Sequence, residues 1–132
     1  MPAITELAAG YVFPPVTFTV DADSSRGYRE SVGDSLSLYD ELGLAPPLAV
    51  AAISLGILLE AISLPAGSLH ASESVQMHAP VPVGSTLECR STLAQRSQRS
   101  GWIVSVLDSE ILHEGRKVLS TRASVLTPLD AA

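Results

Sequence analysis

The chain has 132 residues, 46% of them apolar and 17% charged, with a formal charge of −6. That length fits one domain spanning residues 1–132, and the apolar share excludes an intrinsically disordered protein. The acidic balance argues against nucleic-acid binding, and a single cysteine, Cys89, excludes both a disulfide framework and a multi-cysteine zinc site.

Residues 1–14 form a weakly specified lead-in. Glu6 follows the N-terminus closely, with no basic region and apolar run of the kind a secretion signal needs, so a cytoplasmic protein is expected. Pro14-Pro15 ends the lead-in, and Val16-Thr17-Phe18-Thr19-Val20 alternates with period two, which predicts a strand. Asp21 and Asp23 then mark the start of a short polar helix over 22–32, closed by Gly33. Residues 34–45 read as a loop with room for one helical turn.

Pro46-Pro47 opens a helix over 47–62, because proline in the first turn gives up a donor that has no intrahelical acceptor. It is apolar nearly all round and is expected to be buried on every side. Its apolar stretch, Leu48 to Ile62, includes Glu60 and is too short for a membrane span, so no membrane partner is expected. Strands are predicted near 68–79, 86–96, 102–113 and 116–127, with a turn at Gln98-Arg99-Ser100-Gly101 and a tight hairpin at His113-Glu114-Gly115-Arg116. Short connections predict that these four strands form an antiparallel meander in sequence order. The 47–62 helix is the one element apolar enough to cover the sheet. The expected class is therefore α+β: a hotdog fold, in which a curved antiparallel sheet wraps a central buried helix, strand 16–20 joins the sheet, and exposed edges favour dimerisation.

Charge is uneven: residues 1–89 hold ten acidic and two basic residues, whereas residues 90–132 hold four acidic and six basic. The basic set, Arg90, Arg96, Arg99, Arg116, Lys117 and Arg122, is either a patch for the phosphates of an acyl carrier or a set of solvated strand faces. His70, His78 and His113 lack metal-motif spacing, so neither a metal nor a cofactor is expected. His70 and His78, eight apart on one strand, should share a face and could both approach a cleft. Cys89 reads as an inert buried thiol, and Ser54 as a helix hydroxyl bonded to its own backbone.

From residue 15 to residue 127 the order of landmarks resembles the MaoC-like hydratase/dehydratase family. Thr17-Phe18-Thr19-Val20-Asp21 is followed by Tyr28, Val32-Gly33-Asp34, Leu38-Tyr39 and Leu44-Ala45-Pro46-Pro47. Then come Leu69-His70-Ala71-Ser72-Glu73 and His78-Ala79-Pro80-Val81-Pro82-Val83-Gly84-Ser85-Thr86-Leu87, the last part similar to the family's P-V-x-x-G-D-T-L turn. The resemblance implies a hydro-lyase that adds or removes water at the C2–C3 bond of an acyl-CoA or acyl-ACP thioester, in a homodimer or a heterodimer with another hotdog chain. Active members resemble G-D-x-N-P-x-H, whose Asp and His work together. Here Gly33-Asp34 matches the first pair, Leu36 and Ser37 replace Asn and Pro, and Tyr39 stands where His would be.

The resemblance makes Asp34 the acid or base and Tyr39 its assistant. It gives Leu48 and Ala49, at the helix N-terminus, the task of polarising the thioester carbonyl, and Pro47, His70 and His78 a place near the substrate. Tyrosine, with an ordinary pKa near 10, is a poor base at neutral pH. The same departures are similar to a non-hydrating, acyl-binding half of a heteromeric dehydratase. A hotdog thioesterase is the third reading; its carboxylate could only be Glu60 if it lies within the central helix.

Overall fold

Every strand of the main sheet except the first is nine or more residues long, and their inward positions carry the core. The computed structural model describes residues 2–131. In chain order the elements are β1 (Val16–Thr19), α1 (Ala22–Ser31), α2 (Leu38–Leu42), β2 (Leu44–Ala45), α3 (Pro47–Glu60), β3 (Leu69–Met77), β4 (Val81–Pro82), β5 (Thr86–Arg99), β6 (Trp102–His113) and β7 (Arg116–Pro128). The main sheet is antiparallel in the order β1-β5-β6-β7-β3. It packs on α3, and the arrangement is the expected hotdog.

Local chemistry explains the boundaries. The Asp21 carboxylate accepts from the Ser24 N–H at 2.7 Å, capping α1, and that bond lowers its pKa. Gly33, at φ +73°, turns the chain out of the helix. Glu114 (φ +52°) and Gly115 (φ +78°) make the two-residue turn between β6 and β7, and Ser100 (φ +48°) with Gly101 (φ +84°) does the same between β5 and β6. The second turn is tighter than the sequence suggested, so β5 runs on to Arg99.

The inward faces of β5, β6 and β7 supply Leu87, Leu93, Leu107, Ile111, Leu119 and Val125, all at most 1% exposed. Each such side chain stabilises the fold by roughly 1.5–3 kcal/mol. They pack in two clusters, one against the first half of α3 and one against its C-terminal end.

Three expectations are corrected. First, the later strands are not a four-strand meander: β5, β6 and β7 are, but β3 pairs with β7 and takes the far edge. The eight residues between β3 and β5 can reach about 26 Å, more than the roughly 14 Å of three strand spacings. Along the way they pair β4 with β2 in a small second sheet. Second, α3 is not buried all round. Leu48, Ala52, Gly56 and Glu60, spaced by four, form an exposed stripe, because one sheet covers only one side of a helix. Third, the lead-in is part of the core. Ile4, Leu7 and Phe13 are buried against Leu58, Ile62, Leu93, Leu107 and Val125, and the Ile4 N–H donates to the Ser63 carbonyl at 3.1 Å.

Candidate functional site

The loop after α1 holds Asp34. Its Oδ1 accepts from the Leu36 N–H at 3.0 Å, and its own N–H donates to the Arg29 carbonyl at 2.8 Å. It is half-buried and lines an open depression of about 430 Å³ with Arg26, Arg29 and Glu30. Tyr39, in α2, lines a different depression with Ala22, Ser25, Asp40, Gly43 and Val83. The two side chains are therefore not brought into one recess. What joins α1 to α2 is the buried Arg29. Its guanidinium donates to both carboxylate oxygens of Asp40 at 2.8 and 3.3 Å, and to the Leu36 carbonyl at 3.2 Å.

At the start of α3, Pro46 caps and Pro47 is the first residue. The N–H groups of Ala49 and Val50 both donate to the Pro46 carbonyl, at 3.0 and 3.3 Å. The Leu48 N–H has no acceptor among the described residues, which leaves it as the free donor of the first turn. Ala49 is fully buried, whereas the Leu48 side chain is 57% exposed. Leu48 lines a recess of about 210 Å³ with Tyr28, Ala51, Ala52, Glu73 and Val75, between the N-terminal half of α3 and β3.

The two strand histidines part company. The pairing of β3 with β7 slips between His70 and Ser72, where Ala71 has no partner. This bulge reverses the parity of the strand. His70 lies opposite the buried Val125, on the inner face. Beyond the bulge the inner face is taken by Glu73, opposite Ala123, and Val75. His78 lies past the end of β3 and bonds Ser120 at 3.0 Å, on the outer face. The expectation that His70 and His78 share a face is thus overturned by one extra residue.

The same bulge creates a group that the sequence reading did not single out as functional. His70 Nε2 stands 3.5 Å from Glu73 Oε2. Glu73 Oε1 is buried and has no hydrogen-bond partner among the described residues. Burial raises the Glu73 pKa, and the charge of His70 partly opposes that rise. The sequence signal was present only as a pair of ionisable residues three apart, which in a regular strand would face opposite ways.

A second cavity, about 90 Å³, lies between α3 and β5 and is lined largely by apolar residues, among them Phe13, Val16, Ile57 and Leu58. Cys89 lines it too, buried, with Sγ 3.5 Å from Ser91 Oγ. The Ser54 hydroxyl, on the same wall, donates to the Ala51 carbonyl at 2.9 Å. Glu60 is exposed at the far end of α3. The basic residues do not gather into one patch. Arg90, Lys117 and Arg122 pair with Glu88, Glu110 and Asp108, and Arg96 donates to the Thr5 carbonyl. Arg99 and Arg116 sit at the two hairpins, at opposite ends of β6. Among the described residues no helix is long and apolar enough to cross a membrane, and no group of three or more His, Cys, Asp or Glu is placed to hold a metal ion.

Solved structures of (R)-hydratases and MaoC-like dehydratases share this hotdog architecture, with 84% and 96% of two such chains covered. A monoamine oxidase regulatory protein from Archaeoglobus is 17% identical, with a TM-score of 0.81 over 97% of this chain and 96% of that one. The 3R-hydroxyacyl-ACP dehydratase HadBC complex from Mycobacterium tuberculosis gives 18% identity and a TM-score of 0.76, covering 89% and 96%. A MaoC-like dehydratase from Rhodospirillum rubrum gives 19% identity and a TM-score of 0.73, covering 96% of each chain. No family model and no curated protein matches the sequence.

Proposed function

We propose that this chain is a hotdog enoyl-thioester hydratase, running in reverse as an (R)-hydroxyacyl-thioester dehydratase, on acyl-CoA or acyl-ACP. The observation that carries the reading is the likeness, along about nine-tenths or more of both chains, to a 3R-hydroxyacyl-ACP dehydratase complex and to an (R)-hydratase. One feature of the chain agrees with it. The free Leu48 N–H at the start of α3 suits the thioester oxygen, which gains negative charge as the reaction proceeds.

The partner in this reading is a second hotdog chain, identical or not. Leu48, Leu69 and Met77 are at least half exposed along α3 and the free edge of β3, and a long open edge beside apolar side chains is a surface that proteins cover. Two of the similar structures are complexes of different hotdog chains, HadBC and ChsH1–ChsH2. A second reading, an acyl-binding subunit whose partner does the chemistry, draws on Asp34, whose carboxylate oxygen is engaged by the Leu36 N–H, and on tyrosine at position 39.

Purified protein given crotonyl-CoA separates these. Loss of the enoyl absorbance without release of free thiol is the expected result. Hydration only after a second hotdog chain is co-produced supports the subunit reading, and thiol release without hydration contradicts both.

A further inference from the structure

The strongest unassigned chemistry in the molecule is on the inner face of β3. We propose that Glu73 and His70 are the acid–base pair of the reaction, acting on a thioester whose carbonyl end enters the recess beside Leu48. The inference rests on the hydratase reading above and adds the residues that move the protons.

Four observations converge. The bulge at Ala71 puts His70 and Glu73 on one face, where a regular strand would separate them. Their ring and carboxylate stand 3.5 Å apart. Glu73 Oε1 is buried and unpartnered among the described residues, a costly state for a carboxylate and one that a catalytic role accounts for. Finally, Glu73 lines the same recess as Tyr28, Leu48, Ala51, Ala52 and Val75, at the helix end whose first-turn donor is free. The loop carboxylate Asp34 has none of these properties: it accepts from Leu36, and no imidazole faces it across its depression.

The proton balance closes. Glu73 takes a proton from water as the water oxygen bonds to C3 of the enoyl group. The C2–C3 π pair moves toward C2 and the thioester oxygen, whose charge the Leu48 N–H stabilises. His70, as imidazolium, gives its proton to C2. The sum is one water added across one double bond. The proton held by Glu73 then crosses to His70, and the pair returns to its starting state.

The test compares crotonyl-CoA hydration by wild type, Glu73→Gln, His70→Gln and, as an outer-face control, Glu110→Gln. Loss of the acid or base is expected to lower kcat by about 100-fold or more, with Glu110→Gln at the wild-type rate. His70 is 40% exposed, so its variant keeps the test valid even where Glu73→Gln fails to fold. Wild-type kcat in either pair variant overturns the inference and leaves the hydratase reading standing. Loss of activity in Asp34→Asn with both pair variants active also overturns it. A wild-type protein that does not hydrate crotonyl-CoA, alone or with a co-produced hotdog partner, overturns the inference and the reading together.

Discussion

Glu73 is where the chain departs from what stability alone would choose. Its folded-state pKa is raised, first by burial, so the folded protein binds that proton more tightly than the unfolded chain does. The associated stability is full below the ordinary glutamate value and is lost as pH rises through the raised one. Above that raised value the ionised carboxylate is therefore a burden. Glu73→Gln should melt no lower than wild type there, and its advantage should shrink as the buffer is taken down toward the ordinary glutamate value; thermal melts across that range check it. Asp108 has the opposite sign. The Arg122 guanidinium donates to both its oxygens at 2.7 and 2.8 Å and holds its pKa down, so its stability term is present above the ordinary aspartate value and is lost as pH falls. With Arg122 more than half exposed, solvent screening keeps that contribution small. At this scale the sequence was partly legible. Asp34 and Tyr39 stood out because their spacing resembles a motif. Glu73 did not, because its chemistry depends on an unpaired Ala71 that no periodicity announces.

Among the elements, those fixed by local rules were readable. The capped α1, the proline-opened α3 and both tight hairpins follow from residues within one turn of each boundary. The elements fixed by distant contacts were not. The N-terminal segment has no periodicity, and its place comes from a parallel bridge of Ala3 with Ser63, an antiparallel bridge of Val12 with Thr92, and burial of Ile4 and Phe13 under the end of α3. If that segment is core, Ile4→Ala, at a fully buried position, should cost about 2–5 kcal/mol. Urea unfolding measures it, and a change near zero would return the segment to the status of a tail. Strand order was misread for the same reason: chain proximity favours β3 beside β5, and only the reach of residues 78–85, anchored midway by the β2–β4 pairing, lets β3 close on β7 instead.

For the whole molecule, the uniform hydrophobicity of α3 makes sense only when both flanks are counted. The chain's own sheet covers one flank; Leu48, Ala52 and Gly56 line the other, beside the open edge of β3. We expect a second hotdog chain there, and where that chain is a copy of this one, Met77→Lys, which puts a charge on the exposed end of that edge, should shift the protein from dimer to monomer in sedimentation velocity. An unchanged sedimentation coefficient would move the interface elsewhere. The central claim, that this fold works on hydroxyacyl and enoyl thioesters, is tested most directly by stereochemistry. Given (R)- and (S)-3-hydroxybutyryl-CoA separately, the protein should generate enoyl absorbance from the (R) isomer alone; no absorbance from either isomer, or free thiol in its place, would contradict the account.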